Sequence, residues 1–288
     1  MASLIDIRRR LKSVKNTQQI TRAMKLVAAA KLRRAQDRVI AARPYAKALR
    51  DVLVSVASRV AEVRHPLLTV REEKRVVVLV VEGEKGLCGA FNANVNRAVT
   101  ALLREKAGWE QATLMPIGKK AVDYWKRRQW PLAKSYPGIL ARVDPAQARE
   151  IAEFLAAEFV AERIDAAYVV FNEFRSILSQ IVRVERLLPI SQAQVKTGEA
   201  EHRVDFLYEP DAETILARLL PRYVEFSVFR TLLESAAAEH AARVTAMDSA
   251  SKNAGDMIDA LTLTYNRARQ ARITKELIEI VSGAAAQE

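Results

Sequence analysis

Residues 222–281 read RYVEFSVFRTLLESAAAEHAARVTAMDSASKNAGDMIDALTLTYNRARQARITKELIEIV, with no proline and one glycine, Gly255. Helix interiors exclude both residue types and loops need them. The stretch therefore reads as one helix from about Arg222 to about Val281. Its heptad seam is Phe226, Phe229, Leu233, Ala236, His240, Arg243, Met247, Ala250, Ala254, Met257, Leu261, Thr264, Ala268, Ala271 and Ile278, flanked by Ile258 and Tyr265. At 1.5 Å per residue such a helix is about 90 Å long. A compact 288-residue chain is not that wide, so the helix is expected to project. A projecting helix needs a partner along its apolar stripe.

The partner is expected at the other end of the chain. Residues 1–43 also lack glycine and proline. A first helical arm runs from about Ser3 to about Val60, with Pro44 marking a kink or break. Its seam is Leu4, Ile7, Leu11 and Val14, then Ala28, Leu32, Ala35, Val39 and Ala42. Between these blocks the seam carries Gln18, Thr21 and Lys25, while the local apolar residues shift to Ile20, Met24 and Val27. A pure zipper does not need that polar break. Both seams are rich in alanine, which permits close backbone approach. The arms should pair antiparallel, with the intervening domain at one end of the rod.

Seven of the nine glycines lie between 83 and 198, and the segment holding them reads as α/β. Arg75 to Val81 is an apolar run suited to a buried strand. Ala90 to Glu105 reads as helix, Thr113 to Ile117 as strand, and a helix follows through Arg128. Asp144 and Pro145 open another helix toward Ile164 as cap and first residue. Ala167 to Phe171 is a strand. Ile177 to Leu187 is a longer one, expected antiparallel at the sheet edge. The alternation suggests a layered, Rossmann-like sheet. The fold class is α/β plus long helices: an antiparallel coiled coil of the N- and C-terminal helices with an inserted Rossmann-like α/β domain. The boundaries are 1–60 for the first helix, 74–190 for the α/β domain and 210–288 for the second helix.

Charge is concentrated on the first arm. Residues 1–50 hold 14 Lys or Arg against only Asp6 and Asp37, which equals the whole formal excess of +12. Residues 222–288 nearly balance, with eight basic and nine acidic side chains. A basic helix suits nucleic acid, anionic lipid or an acidic protein surface, and charge alone does not choose among them. No run of 18 apolar residues suggests a membrane span. The first ten residues lack the apolar run of a secretory signal. The lone Cys88 makes no internal disulfide, and a reducing compartment fits it best.

The Gly-rich turn Glu82–Asn92 follows the first strand, yet it matches neither Gly-x-Gly-x-x-Gly nor the Gly-Lys-Ser/Thr phosphate loop. It is expected to be a structural turn leading into a helix. His65, His202 and His240 lack metal-ligand spacing, and Cys88 lies in no nucleophile motif. No catalytic residue, cofactor site or metal site is expected. The arginine clusters come without an RNA-binding module or zinc motif, so no nucleic-acid partner is expected.

Two segments carry a resemblance. Residues 7–36, IRRRLKSVKNTQQITRAMKLVAAAKLRRAQ, and residues 265–284, YNRARQARITKELIEIVSGA, closely resemble the gamma subunit of F-type ATP synthase. The tail fits that family's pattern of Ile-Thr, one residue, Glu, two residues, Glu, three residues, Gly-Ala. Gly86 to Asn92 is similar to its middle motif, and the resemblance spans essentially the full chain. One departure is visible. Gly83-Glu84-Lys85 stands where the family commonly has Ser or Thr followed by Asp-Arg, and the extra glycine is expected to loosen the turn. The cysteine-pair insert of chloroplast versions is absent, and no mitochondrial leader is expected before the first arm, which points to a bacterial protein or a processed chain.

The resemblance implies a central-stalk rotor turning inside a ring of alpha and beta subunits. Its sheet domain would lie against the epsilon subunit and the c-subunit ring. It implies coupling of ion flow to ATP synthesis or hydrolysis on beta, with no catalytic site in this chain. It also implies a peripheral position on the cytoplasmic face of a bacterial plasma membrane. Met24, Arg243, Gln270 and Thr274 match positions that touch beta, and Arg22 and Lys25 face an acidic loop of beta. Met24 has an alternative reading, in which it packs between the arms. For Arg243 partner contact is favoured, because a guanidinium between packed helices needs acidic company. Phe206, Tyr208 and Glu209 match the region that meets the c ring and epsilon, with Phe206 in place of a more usual Tyr. A static coiled-coil adaptor and a nucleotide-using enzyme with helical extensions stand as rival readings.

Overall fold

The computed structural model describes residues 3–57, 65–191 and 211–285. The elements run α1 (Leu4–Ala57), β1 (Arg75–Val81), α2 (Phe91–Glu105), β2 (Gln111–Ile117), α3 (Lys119–Arg127), α4 (Pro145–Val160), β3 (Ala166–Phe174), β4 (Gln180–Leu188) and α5 (Ala212–Ala285). The chain forms two compact units. One comprises residues 1–28 and 244–288, the other residues 29–243.

The larger unit is built on a four-stranded sheet of order β2-β1-β3-β4. β1 pairs parallel with β2 and β3, and β4 closes the edge antiparallel to β3. This follows from side-chain chemistry. β1 is apolar on both faces, as a strand covered on both sides must be. Val76, Val78 and Val80 pack under Val95 and Val99 of α2 and Ala121 and Trp125 of α3. Val77, Leu79 and Val81 face Ile151 and Leu155 of α4, Leu53 of α1 and Leu220, Val224 and Val228 of α5. β4 is largely exposed along its first half, which suits an edge. Asp144 caps α4 by accepting from the Ala146 amide at 2.8 Å, with Pro145 in the first turn.

α5 begins at Ala212, two residues after the domain boundary at 210 and ten before Arg222, where the proline-free stretch starts, and it carries Pro221 inside it. An interior proline costs about 3 kcal/mol. Burial of Leu216, Leu220, Val224 and Val228, spaced four apart on one face, contributes about 1.5–3 kcal/mol for each side chain and outweighs it. α1 likewise continues through Pro44 without a break.

The smaller unit is an antiparallel helix pair. Arg8 lies over the Tyr265 ring, Gln18 donates to the Ser251 carbonyl, and Lys25 pairs with Asp248. The first seam runs straight through its polar stretch. Thr21 is buried and Gln18 and Lys25 are half-buried, whereas Ile20, Leu26 and Val27 are exposed. On α5 the inward residues past Ala254 are Ile258, Leu261, Tyr265 and Ala268. Met257, Thr264, Ala271 and Ile278, expected on the seam, are exposed. A helix of 3.6 residues per turn drifts against a strict heptad. Moreover, α1 begins at Leu4, so among the described residues nothing faces α5 beyond Ala268.

Candidate functional site

In an open α/β sheet, ligands bind outside the carboxyl ends of the parallel strands, where successive connections leave in opposite directions. Here that place lies between the ends of β1 and β3, under the Gly-rich turn, and α5 fills it. Ala238 packs on Cys88 and Phe91, with Phe174 and Ala242 alongside. A Cβ built on Gly83 would stand 2.8 Å from the Glu239 carboxyl carbon. The Glu84 amide donates to Glu239 Oε2 at 3.4 Å. Asn172, at the end of β3, donates to the Phe91 carbonyl at 3.4 Å. The turn leads into α2 as expected, with Gly89 at φ 60° and the Gly83 amide held by Asn92 Oδ1 at 2.9 Å. The missing side chain of Gly83 makes room for Glu239.

Arg243 completes this contact. It is buried and donates to Glu239 on its own helix and to the Lys85 and Gly86 carbonyls, both at 3.3 Å. Within the chain the guanidinium has acidic company in Glu239, four residues back on the same helix. The i, i+4 spacing carried the signal, since these positions are neighbours on a helix face. His240 Nδ1 lies 3.3 Å from Arg243 Nη1. An arginine only donates, so this imidazole must accept through a neutral ring. Burial, reinforced by the Arg243 and Lys31 charges, lowers the His240 pKa to about 4, in keeping with that role. Burial also pushes the Cys88 thiol pKa up, partly opposed by Arg243.

Glu84 has a separate task. Its carboxylate accepts from the backbone amides of Lys119, Gly138 and Leu140, each at 3.0 Å. It thus ties the turn to the start of α3 and to the loop before α4. The acid retained at this position is a structural tether.

In the helix pair, Lys25 Nζ lies 2.6 Å from Asp248 Oδ1, and Lys252 binds the other carboxylate oxygen at 2.9 Å. These two partners pull the Asp248 pKa down to about 2. Arg22 is exposed and lines a shallow groove with Gln18, Lys25, Asp248 and Ser251. Met24 is half-buried at the edge of the seam. Gln270 and Thr274 are exposed on the part of α5 that α1 does not reach. Ile273 and Leu277 are exposed beside them. Phe206, Tyr208 and Glu209 lie outside the described residues. Among the described residues no helix is long and apolar enough to cross a membrane.

A family model described as ATP synthase matches residues 3–287. The chain is 49% identical to the ATP synthase gamma chain of Pelotomaculum thermopropionicum and 51% identical to that of Solibacter usitatus, covering all of both proteins and of itself. It resembles a chain of the central stalk and c-ring of Tetrahymena thermophila mitochondrial ATP synthase. That match has a TM-score of 0.60 and 26% identity over 81% of this chain and 99% of the other. The fold also resembles a chain of the Euglena gracilis mitochondrial ATP synthase rotor, with a TM-score of 0.62 and 19% identity over 94% and 98%.

Proposed function

The chain belongs to the gamma chains of ATP synthase, and from that premise we propose how it works: as the central-stalk rotor, gripped by alpha and beta subunits and joined to epsilon and the c ring. The observation that carries the reading is the outward face of the helix pair. Ile20, Leu26 and Val27 on α1 and Leu263, Ile273 and Leu277 on α5 are about half exposed or more. In the rotor reading these aliphatic side chains are the surface that meets the surrounding subunits. They are interspersed with Arg22, Gln270 and Thr274, so the face can slide instead of sticking fast.

The mechanism is differential contact. One asymmetric helix pair inside a ring of chemically identical catalytic sites touches each site differently. Each site therefore has its own conformation and nucleotide affinity at a given angle. Turning the pair exchanges those states, which links ion flow to ATP synthesis or hydrolysis. The catalytic groups belong to beta, and this chain contributes none. Met24, Arg22, Gln270 and Thr274 are the residues assigned to beta. Lys25 and Arg243 are assigned to beta as well, each also paired within the chain, with Asp248 and Glu239 respectively. Phe206, Tyr208 and Glu209 are assigned to the c ring and epsilon. The working position is peripheral, on the cytoplasmic face of a bacterial plasma membrane.

Reconstitution with alpha and beta subunits tests this. A defined complex should form, with ATP hydrolysis that depends on this chain, while the chain alone hydrolyses nothing. Gln270→Ala and Thr274→Ala should lower coupled synthesis while the isolated chain stays folded. A complex whose turnover ignores this chain would end the rotor reading. Measurable ATPase from the pure chain would favour the enzyme reading instead.

A further inference from the structure

The packed stretch of α5 in the larger unit runs from Leu216 to Arg243, the last residue of that unit. Most of the stretch is held by aliphatic side chains, from Leu216 through Leu233 to Ala236. Its final turns are different. Ala238 and Ala242 offer only methyl groups, and they cluster with Cys88, Phe91 and Phe174. Small side chains allow close approach but little grip, because dispersion scales with the number of atom pairs. Directional bonds take over at this point. Arg243 reaches two carbonyls of the turn and the Glu239 carboxylate, and Glu239 in turn receives the Glu84 amide and fills the space above Gly83. Charge-assisted bonds of this kind, shielded from water, are about twice as strong as neutral ones.

We propose that Glu239 and Arg243, closed on the Gly83–Gly86 turn, form a releasable clasp that fixes where α5 parts from the sheet. With the clasp shut, the last two packed turns of α5 are locked in register against the end of β1. With it open, those turns peel away as a local unit and uncover Cys88 and Phe91 beneath Ala238, while the aliphatic packing further back holds. The arrangement suits such a split, because local opening occurs where apolar contacts are few. On the rotor reading, a twist carried by α5 loads this clasp. That last point rests on the rotor reading; the clasp itself does not.

Cys88 is the chain's one cysteine and is 2% exposed beneath the clasp, so its labelling by a small maleimide at pH 8 reports opening in the full-length chain. Arg243→Gln should raise the labelling rate at least tenfold with helix content unchanged. Gly83→Ala, which displaces the Glu239 carboxylate, should do the same. The Arg243 charge favours the thiolate, so its loss alone would slow labelling, and acceleration can come only from opening. Rates within twofold of the parent in both variants would overturn the proposal. If the variants fail to fold, the parent chain decides. Cys88 labelling and Glu84 amide exchange should share one rate, faster than exchange of Val78 and Val80; labelling as slow as those core amides would overturn it. In the assembled enzyme, Arg243→Gln should at least halve ion pumping per ATP hydrolysed. Failure of the rotor reading would appear as no assembly with Cys88 rates as expected. Failure of the clasp would appear as unchanged Cys88 rates in a chain that assembles.

Discussion

Replacing Glu82 by glutamine should make the chain more stable at neutral pH and remove part of the pH dependence of its stability. Glu82 follows β1 and is 1% exposed, on the side of the sheet covered by α2, and Oε1 has no hydrogen-bond partner. Burial penalises the charged form and raises its pKa from 4.5 to about 8, against a smaller opposing effect from Asn96. The folded chain therefore holds a proton that the unfolded chain gives up. The stability associated with that proton is fully present below pH 4.5 and declines as pH rises toward 8. Each pKa unit corresponds to about 1.4 kcal/mol, so at pH 7, two and a half units above 4.5, the cost is about 3 kcal/mol. Glutamine is neutral at every pH and matches the protonated acid in shape. Denaturant unfolding of parent and Glu82→Gln at pH 5, 6, 7 and 8 isolates the effect, since other titrating groups cancel in the difference. The gap should widen by about 3–4 kcal/mol over that range. A gap that stays constant from pH 5 to 8 would show that Glu82 is not held protonated and would refute the reasoning.

Two further perturbations address other parts of the molecule. Gly118 sits at φ 93°, and a Cβ there would lie 2.0 Å from the Glu82 carbonyl oxygen; Gly118→Ala should cost about 3 kcal/mol or more, read as a lowered denaturation midpoint, and a loss under about 1 kcal/mol would contradict the crowding. Lys25→Ala should leave stability within about 1 kcal/mol, since the bond to Asp248 is partly solvated, but should move Asp248 titration upward from about 2, as followed by carboxyl NMR shifts. Asp248 is depressed, so its stabilising interaction is present above its ordinary pKa of 3.8 and disappears as pH falls through about 2; an unmoved titration would mean that Lys25 is not its main partner.

Much of the architecture was legible because it rests on local rules. The gaps between glycines and prolines mark both long helices. The run Arg75 to Val81 is β1 to the residue, since a strand buried on two faces must be continuously apolar. Asp144 and Pro145 announce α4 by cap chemistry that needs no distant partner. The polar interruption at Gln18, Thr21 and Lys25 was also visible, and these residues do hold the seam. Of the candidate site, the exposed positions Arg22, Gln270 and Thr274 could be named from motif resemblance.

The amino-acid order by itself determined that there would be two long helices, a parallel sheet with an antiparallel edge, and a tight turn after β1. Each depends on side-chain periodicity or on backbone permissions carried by nearby residues. Only the tertiary structure decided that α5 runs through Pro221, that Met257 and Ile278 face outward, and that Arg243 closes on Glu239 and the turn. Those outcomes depend on long-range burial, on where α1 starts opposite α5, and on the distance between residues more than 150 positions apart. Free energies of that kind exist only once the chain has folded.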